Sequence, residues 1–220
     1  LLGATVWHGS PHKFDKFDSS KIGTGEGAQA YGHGLYLAES PDVAKSYQAM
    51  SYNRTVALPD GKGYALFDSA TDKKISETFA NKDAALKAKE AFSGNHYKVD
   101  LPDEHIAKML DWDKPLSQQP PEVLKKVKEL ERFGTSVTDA DWSSRFFSPD
   151  SFGDMTGAGA VGVLQKRLGQ DGASEFLKQQ GIPGIRYLDG GSRSAGAGSS
   201  NFVIFPQNEG LLQILERNGK

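Results

Sequence analysis

Cysteine is absent from the 220 residues. That removes disulfides, thiolate catalysis and cysteine-type zinc sites. No apolar run approaches the roughly 20 residues needed to span a bilayer, so no membrane partner is expected. Neither charge is in excess: 26 Lys and Arg face 28 Asp and Glu, for a net charge of −2. No basic field is therefore available for strong non-specific nucleic-acid binding, although one groove on a neutral protein can still be basic. The five histidines are scattered without metal-ligand spacing, and no metal is expected. The chain opens Leu1-Leu2-Gly3 without Met or a signal peptide. The expectation is a cytoplasmic protein, and a piece of a longer one.

What is present suits one domain with an insertion. A hydrophobic fraction of 37% with 10% aromatics can build a core at this length. Ala4 to Ser10 reads as a strand, with Phe14 and Phe17 anchoring the loop after it. Gly23 to Gly34 holds five glycines in twelve residues and reads as a mobile loop. No Lys-Ser/Thr follows it, so the phosphate-loop pattern of nucleotide hydrolases is not met. Leu35 to Glu39 is a strand. Ser40-Pro41-Asp42 starts a helix to about Met50, with Val43 and Tyr47 on one face.

Thr55 to Phe67 reads as a hairpin and Lys82 to Phe92 as a helix, together a small inserted module. Tyr97 to Leu101 returns as a strand. Helices are expected from Pro102 to Leu110, Pro121 to Phe133, Ala158 to Leu168 and Ala173 to Gln180, the last ended by Gly181. Ile185 to Leu188 is a strand, Gly190 to Ser200 a flexible loop, Phe202 to Phe205 a strand, and Glu209 to Arg217 a final amphipathic helix. Strands and helices mix without regular alternation, which makes the class α+β.

Two segments carry the chemistry: Val6-Trp7-His8-Gly9-Ser10 and Gly32-His33-Gly34-Leu35-Tyr36-Leu37-Ala38, the second followed by Tyr47. Each delivers one polar or aromatic side chain beside glycine. Gly9 and Gly34 would let a ligand approach the backbone closely. A histidine, two aromatic rings and open backbone amides form a clamp for a flat amide-bearing ring such as nicotinamide.

These blocks resemble the first two of ADP-ribosyltransferases of the diphtheria-toxin and poly(ADP-ribose) polymerase type. A third block in that family is a late strand opening with Glu. Asn201-Phe202-Val203-Ile204-Phe205 matches it with Asn in place of Glu. More narrowly, the chain is similar to the ADP-ribosyltransferase domains of phage and mobile-element polyvalent proteins. The segments 10–17, 23–32 and 181–190 carry that closer match, and the resemblance covers both ends of the chain. It implies a split antiparallel β-sheet core from 1–53 and 153–220, with 54–152 inserted. The insertion is expected to choose the acceptor.

The resemblance also implies roles. NAD would be co-substrate, with no metal. The Gly9 backbone would grip the carboxamide, His8 would bond a ribose hydroxyl, and Ser10 would lie near the adenosine ribose. Tyr36 and Tyr47 would sandwich the nicotinamide ring, beside Gly34. Glu26 and Gln29 would contact the phosphate-ribose or the acceptor. The glycosidic bond to nicotinamide breaks, the ribose gains oxocarbenium character, and an acceptor attacks the anomeric carbon. Asn201 would accept a bond from the ribose 2'-hydroxyl, yet it carries no charge and is no base. Losing one such electrostatic element costs about 10²- to 10³-fold, so transfer of a single ADP-ribose is expected rather than chain growth. Glu26 or Glu39 are the alternative sources of charge. The acceptor would be a protein or nucleic acid of the host cytoplasm.

Plainer readings stand beside these. His8 could be a core histidine that bonds a backbone carbonyl, and Tyr36 and Tyr47 core aromatics. Asn201 could serve the turn of the Gly/Ser loop, and Glu26 could simply be solvated. NAD hydrolysis, and a silent domain that binds NAD or ADP-ribose, remain as alternative functions.

Overall fold

The computed structural model describes residues 3–23, 29–90, 94–127, 155–190 and 198–220. Glu26, residues 128–133 of the expected helix and most of the expected Gly/Ser loop lie outside them. Strand β1 spans Ala4–Ser10, β2 Leu35–Ala38, β3 Thr55–Asp60, β4 Gly63–Asp68, β5 Lys73–Phe79, β6 Asn95–Leu101, β7 Leu110–Asp111, β8 Gly184–Leu188, β9 Ser200–Ile204 and β10 Gln213–Arg217. Helix α1 spans Pro41–Arg54, α2 Lys82–Lys89, α3 Asp103–Ile106 and α4 Gly157–Gln179. Residues 121–127 are also helical.

Seven strands form one sheet in the order β10-β6-β1-β2-β9-β8-β7. The expectation of a purely antiparallel core is corrected at one edge: β7 pairs with β8 in parallel. The sheet is therefore mixed. A second sheet, β3-β4-β5, stands apart with α2. Among the described residues of the stretch 54–152 expected as an insertion, only this module has its own sheet. β6 and β7 belong to the large one.

The centre of the large sheet is buried on both faces, and side-chain alternation sends its buried apolar residues to two cores. On β9, Phe202 and Ile204 enter one cluster with Val6, Leu35, Leu37, Tyr97 and Val99. Val203 enters the other with Ile185, Tyr187 and the apolar face of α4. A strand buried on both sides reads as a continuous apolar run, which is what Phe202 to Phe205 is.

α4 holds the two helices expected at 158–168 and 173–180, broken at Gly169, whose φ of 73° is non-helical. It ends as glycine dictates. The Gly181 N–H donates to the Lys178 carbonyl and the Ile182 N–H to the Leu177 carbonyl. Gly181 itself has φ 73°, and buried Ile182 packs in one core with Leu177. This is a Schellman stop, and it delivers the chain straight into β8.

The C-terminal segment corrects a second expectation. Glu209–Leu211 is one 3-10 turn, and Gln213–Arg217 is strand β10, not a helix. Its apolar residues at 211, 212, 214 and 215 fit either period. The free edge of β6 decides: Ile214 pairs with Val99, and Leu212 and Ile214 pack on the core below.

Candidate functional site

One feature of the sheet opens the site. β1 pairs with β6 over seven residues and β2 with β9 over four. β1 and β2 meet in register only at Trp7 and Ala38. Beyond Trp7 the two strands part, and a cavity of about 730 Å³ lies there. That size falls in the range of small-molecule sites. His8, Gly9, Ser10, Gln29, Gly34, Tyr36, Tyr47 and Asn201 all line it. By alternation, His8 shares the face of Val6, whereas Tyr36 and Asn201 share the opposite face. The parting of β1 from β2 is what lets both faces reach one cavity.

His8 bridges the gap. Its Nδ1 lies 2.7 Å from the Tyr36 carbonyl oxygen. A carbonyl only accepts, so Nδ1 carries the proton. Burial pushes the imidazole pKa below its ordinary value; the Tyr36 carbonyl opposes this and His96 adds to it. A neutral ring with Nδ1 protonated presents Nε2 as a lone-pair acceptor. The carbonyl bond of the plainer reading is thus present, and it sets the tautomer that a ligand would meet. Three rings hold the imidazole: Phe17 edge-on at 5.3 Å, Phe14 at 6.0 Å and Tyr97 at 6.2 Å.

The loop that brings these phenylalanines is pinned from two sides. The Tyr97 hydroxyl accepts from the Phe14 N–H and donates to the His12 carbonyl. Arg217, at the end of β10, bonds the Phe14 carbonyl at 3.2 Å and the Asp15 carboxylate.

Tyr36 offers its ring rather than its hydroxyl. The hydroxyl donates to the Gly32 carbonyl at 2.9 Å and accepts from the Tyr31 N–H at 3.2 Å. Burial raises its pKa far above the phenol range, with Tyr47 adding to the shift. Tyr47 projects from α1 and is 38% exposed. Tyr187, a residue that sequence reasoning missed, also lines the cavity. Its ring meets Tyr36 edge-on at 6.5 Å and stacks on Tyr31 at 3.8 Å. Only its place opposite Asn201 on β9 brings it there, and no local motif signals that.

The two glycines line the cavity, but the reason expected for them is corrected. A Cβ on Gly9 would overlap the Ala44 carbonyl oxygen in α1, and one on Gly34 would overlap the Ile204 carbonyl oxygen in β9. Protein, not ligand, fills the space each side chain would take. Ser10 is buried, and its Oγ accepts from the His12 N–H at 3.1 Å, which shapes the turn after β1. Gln29 accepts through Oε1 from His33 Nδ1 at 2.9 Å.

The acids distribute unevenly. Glu39 accepts the Ser200 N–H at 2.7 Å and its own N–H donates to the Ser200 carbonyl. It staples β2 to β9 and does not line the cavity. Asp18 is the only acid among the described lining residues, against Lys13, Lys16 and Lys21. Asp18 itself accepts from the Ser20 N–H. The cavity mouth is therefore locally basic on a chain of net charge −2. Asn201 is 5% exposed; its Nδ2 lies 3.3 Å from Asp189 Oδ1, while its Oδ1 is buried without a hydrogen-bond partner.

The histidines make stability pH-dependent. His96, stacked on Trp7 at 4.8 Å, is also held below its ordinary value by burial. Between the folded-state values and the ordinary value near about 6.5, the unfolded chain binds protons that the folded chain refuses. The stability contribution is complete above that upper value and is lost as pH falls through it. Urea unfolding between pH 8 and 5 should show the decline, at no more than about 1.4 kcal/mol per pH unit for each histidine. His8→Ala should make it shallower. An unchanged slope would remove His8 as a titrating group.

Among the described residues, no group of three or more His, Asp or Glu comes together as a metal would require, and no helix is long and apolar enough to cross a membrane. Compared with known proteins, the chain matches no family model, and no curated protein and no solved structure matches it.

Proposed function

We propose that this chain binds NAD and transfers its ADP-ribose to a macromolecular acceptor, as a mono-ADP-ribosyltransferase with the split-sheet core of that family. The observation that carries the reading is the convergence of His8, Tyr36 and Tyr47 on one cavity. His8 Nε2 would accept a ribose hydroxyl. The Tyr36 and Tyr47 rings would flank the nicotinamide. Lys13, Lys16 and Lys21 suit the charge of the pyrophosphate. The buried, unpartnered Asn201 Oδ1 would accept from the ribose or the carboxamide. These groups would bind and orient the dinucleotide and exclude water from its reacting end. A second reading, a domain that holds NAD without turning it over, is favoured by Asn201 and by the single acid among the described lining residues.

Incubation with labelled NAD and a cell lysate, with protein and RNA fractions analysed separately by mass spectrometry, separates the readings. Label on either fraction supports transfer. Nicotinamide release without label means hydrolysis. Calorimetric binding with neither means a silent domain. No binding at all rejects NAD as the ligand.

A further inference from the structure

Asn201 is the second residue of β9, 5% exposed, on the wall of the cavity. A primary amide has a donor end and an acceptor end, and each needs a partner once the side chain is buried. The donor end faces Asp189 Oδ1 at 3.3 Å. A carboxylate only accepts, so the opposite orientation would set two acceptors against each other. The main chain at Asp189 is held in turn: its backbone N–H donates to the Ser199 carbonyl at 2.9 Å. The acceptor end, Oδ1, is left buried and without a partner. Native proteins rarely leave such an atom unpaired, because the desolvation loss is not recovered.

We propose that Asp189 is a positioning residue. It locks the Asn201 amide with its carbonyl oxygen toward the cavity. This wall of the site then recognises a ligand hydroxyl or N–H and rejects ligand oxygens that carry no proton. The inference rests on the NAD reading for the identity of that donor, a ribose hydroxyl or the carboxamide N–H. It assigns the charge behind the site to neither Glu26 nor Glu39. A carboxylate behind the amide also polarises it, strengthening the acceptor as the ribose hydroxyl becomes more acidic.

The test compares the parent chain with Asp189→Asn and with the exchange Asp189→Asn plus Asn201→Asp. NAD affinity is measured by calorimetry, and solvent exchange of the Asn201 side-chain amide by NMR. Asp189→Asn frees the amide to turn. NAD affinity should fall about tenfold, the worth of one hydrogen bond, and the protected Nδ2 proton should begin to exchange. The exchange variant keeps an acceptor at position 201 and a donor at position 189, and should bind NAD several-fold more tightly than Asp189→Asn does. Equal affinity and protection in Asp189→Asn would overturn the proposal. So would an exchange variant no better than Asp189→Asn, since a merely structural carboxylate gives that result. If the parent binds no NAD yet loses Nδ2 protection on Asp189→Asn, the NAD reading fails and the locked acceptor stands. If neither binding nor protection is seen, both fail.

Discussion

His8→Ala is expected to lower kcat/KM for NAD turnover by about 10²- to 10³-fold, the usual loss when one preorganised polar group leaves a site of this kind. Two separate losses are combined in it. The Nε2 acceptor disappears from the cavity. The 2.7 Å bond from Nδ1 to the Tyr36 carbonyl also goes, and with it the link that fixes the parted strands at the height of the Tyr36 ring. His8→Asn tells them apart, because an amide N–H can still reach across to that carbonyl without restoring an acceptor at the Nε2 position. Turnover equally low in both variants places the effect in the acceptor. Partial recovery in the asparagine variant places it in the bridge. Full turnover in His8→Ala, with NAD binding intact by calorimetry, would reject the site as assigned. Circular dichroism and thermal unfolding of each variant show whether the core around Phe14, Phe17 and Tyr97 has survived.

What the sequence made legible was chiefly what local chemistry decides. Ala4–Ser10 was readable as a strand to the residue, and Gly181 as a helix stop, because each obeys rules that act within a few residues. The strand at β9 was readable because burial on both faces leaves only apolar residues after Asn201. Eight of the nine residues expected at a site line one cavity; the ninth, Glu26, lies outside the described residues. Long-range pairing was the part that stayed hidden. β5 is Lys-Lys-Ile-Ser-Glu-Thr-Phe, mostly exposed and nearly without apolar alternation. Its strand character comes from β4, and no hydrophobic face announces it. β10 has an apolar pattern that two periods share, and only the waiting edge of β6 chooses between them.

The site shows the same division. The rings of Tyr97 and Tyr187 belong to strands that cross-strand register places opposite His8 and Asn201, and register is not written in either strand alone. Asp189 carries no signal in the sequence, because it follows a strand in an ordinary turn sequence. Its partner is twelve residues on, across a Gly/Ser stretch. The basic mouth was hidden by averaging. A net charge of −2 says nothing about three lysines gathered within nine residues of one loop. Glycine beside a functional residue suits many binding loops, whereas the structure gives Gly9 and Gly34 a packing reason. That difference has a measurable consequence.

Gly9→Ala should destabilise the fold and disable the site together. The added Cβ would overlap the Ala44 carbonyl oxygen and fall 2.8 Å from the Gln48 backbone nitrogen. Both are main-chain atoms of α1, so no rotamer change relieves the contact, and the helix must move as a body. Overpacking costs about 1–3 kcal/mol, and a backbone-on-backbone clash belongs at the upper end. For a chain of this size, about 3 kcal/mol lowers Tm by about 6–12 °C. Tyr47 rides on the same helix, so its ring leaves the cavity and NAD affinity falls with the stability. Gly162→Ala is the control. It sits inside α4 with nothing within 4 Å of the new Cβ, and alanine in a helix interior gains about 0.5–1 kcal/mol over glycine. Calorimetric melts of the two variants should therefore shift in opposite directions. A Gly9→Ala protein that melts with the parent and still binds NAD would mean that α1 does not rest on this strand as described, and that Tyr47 is not held over the cavity by it.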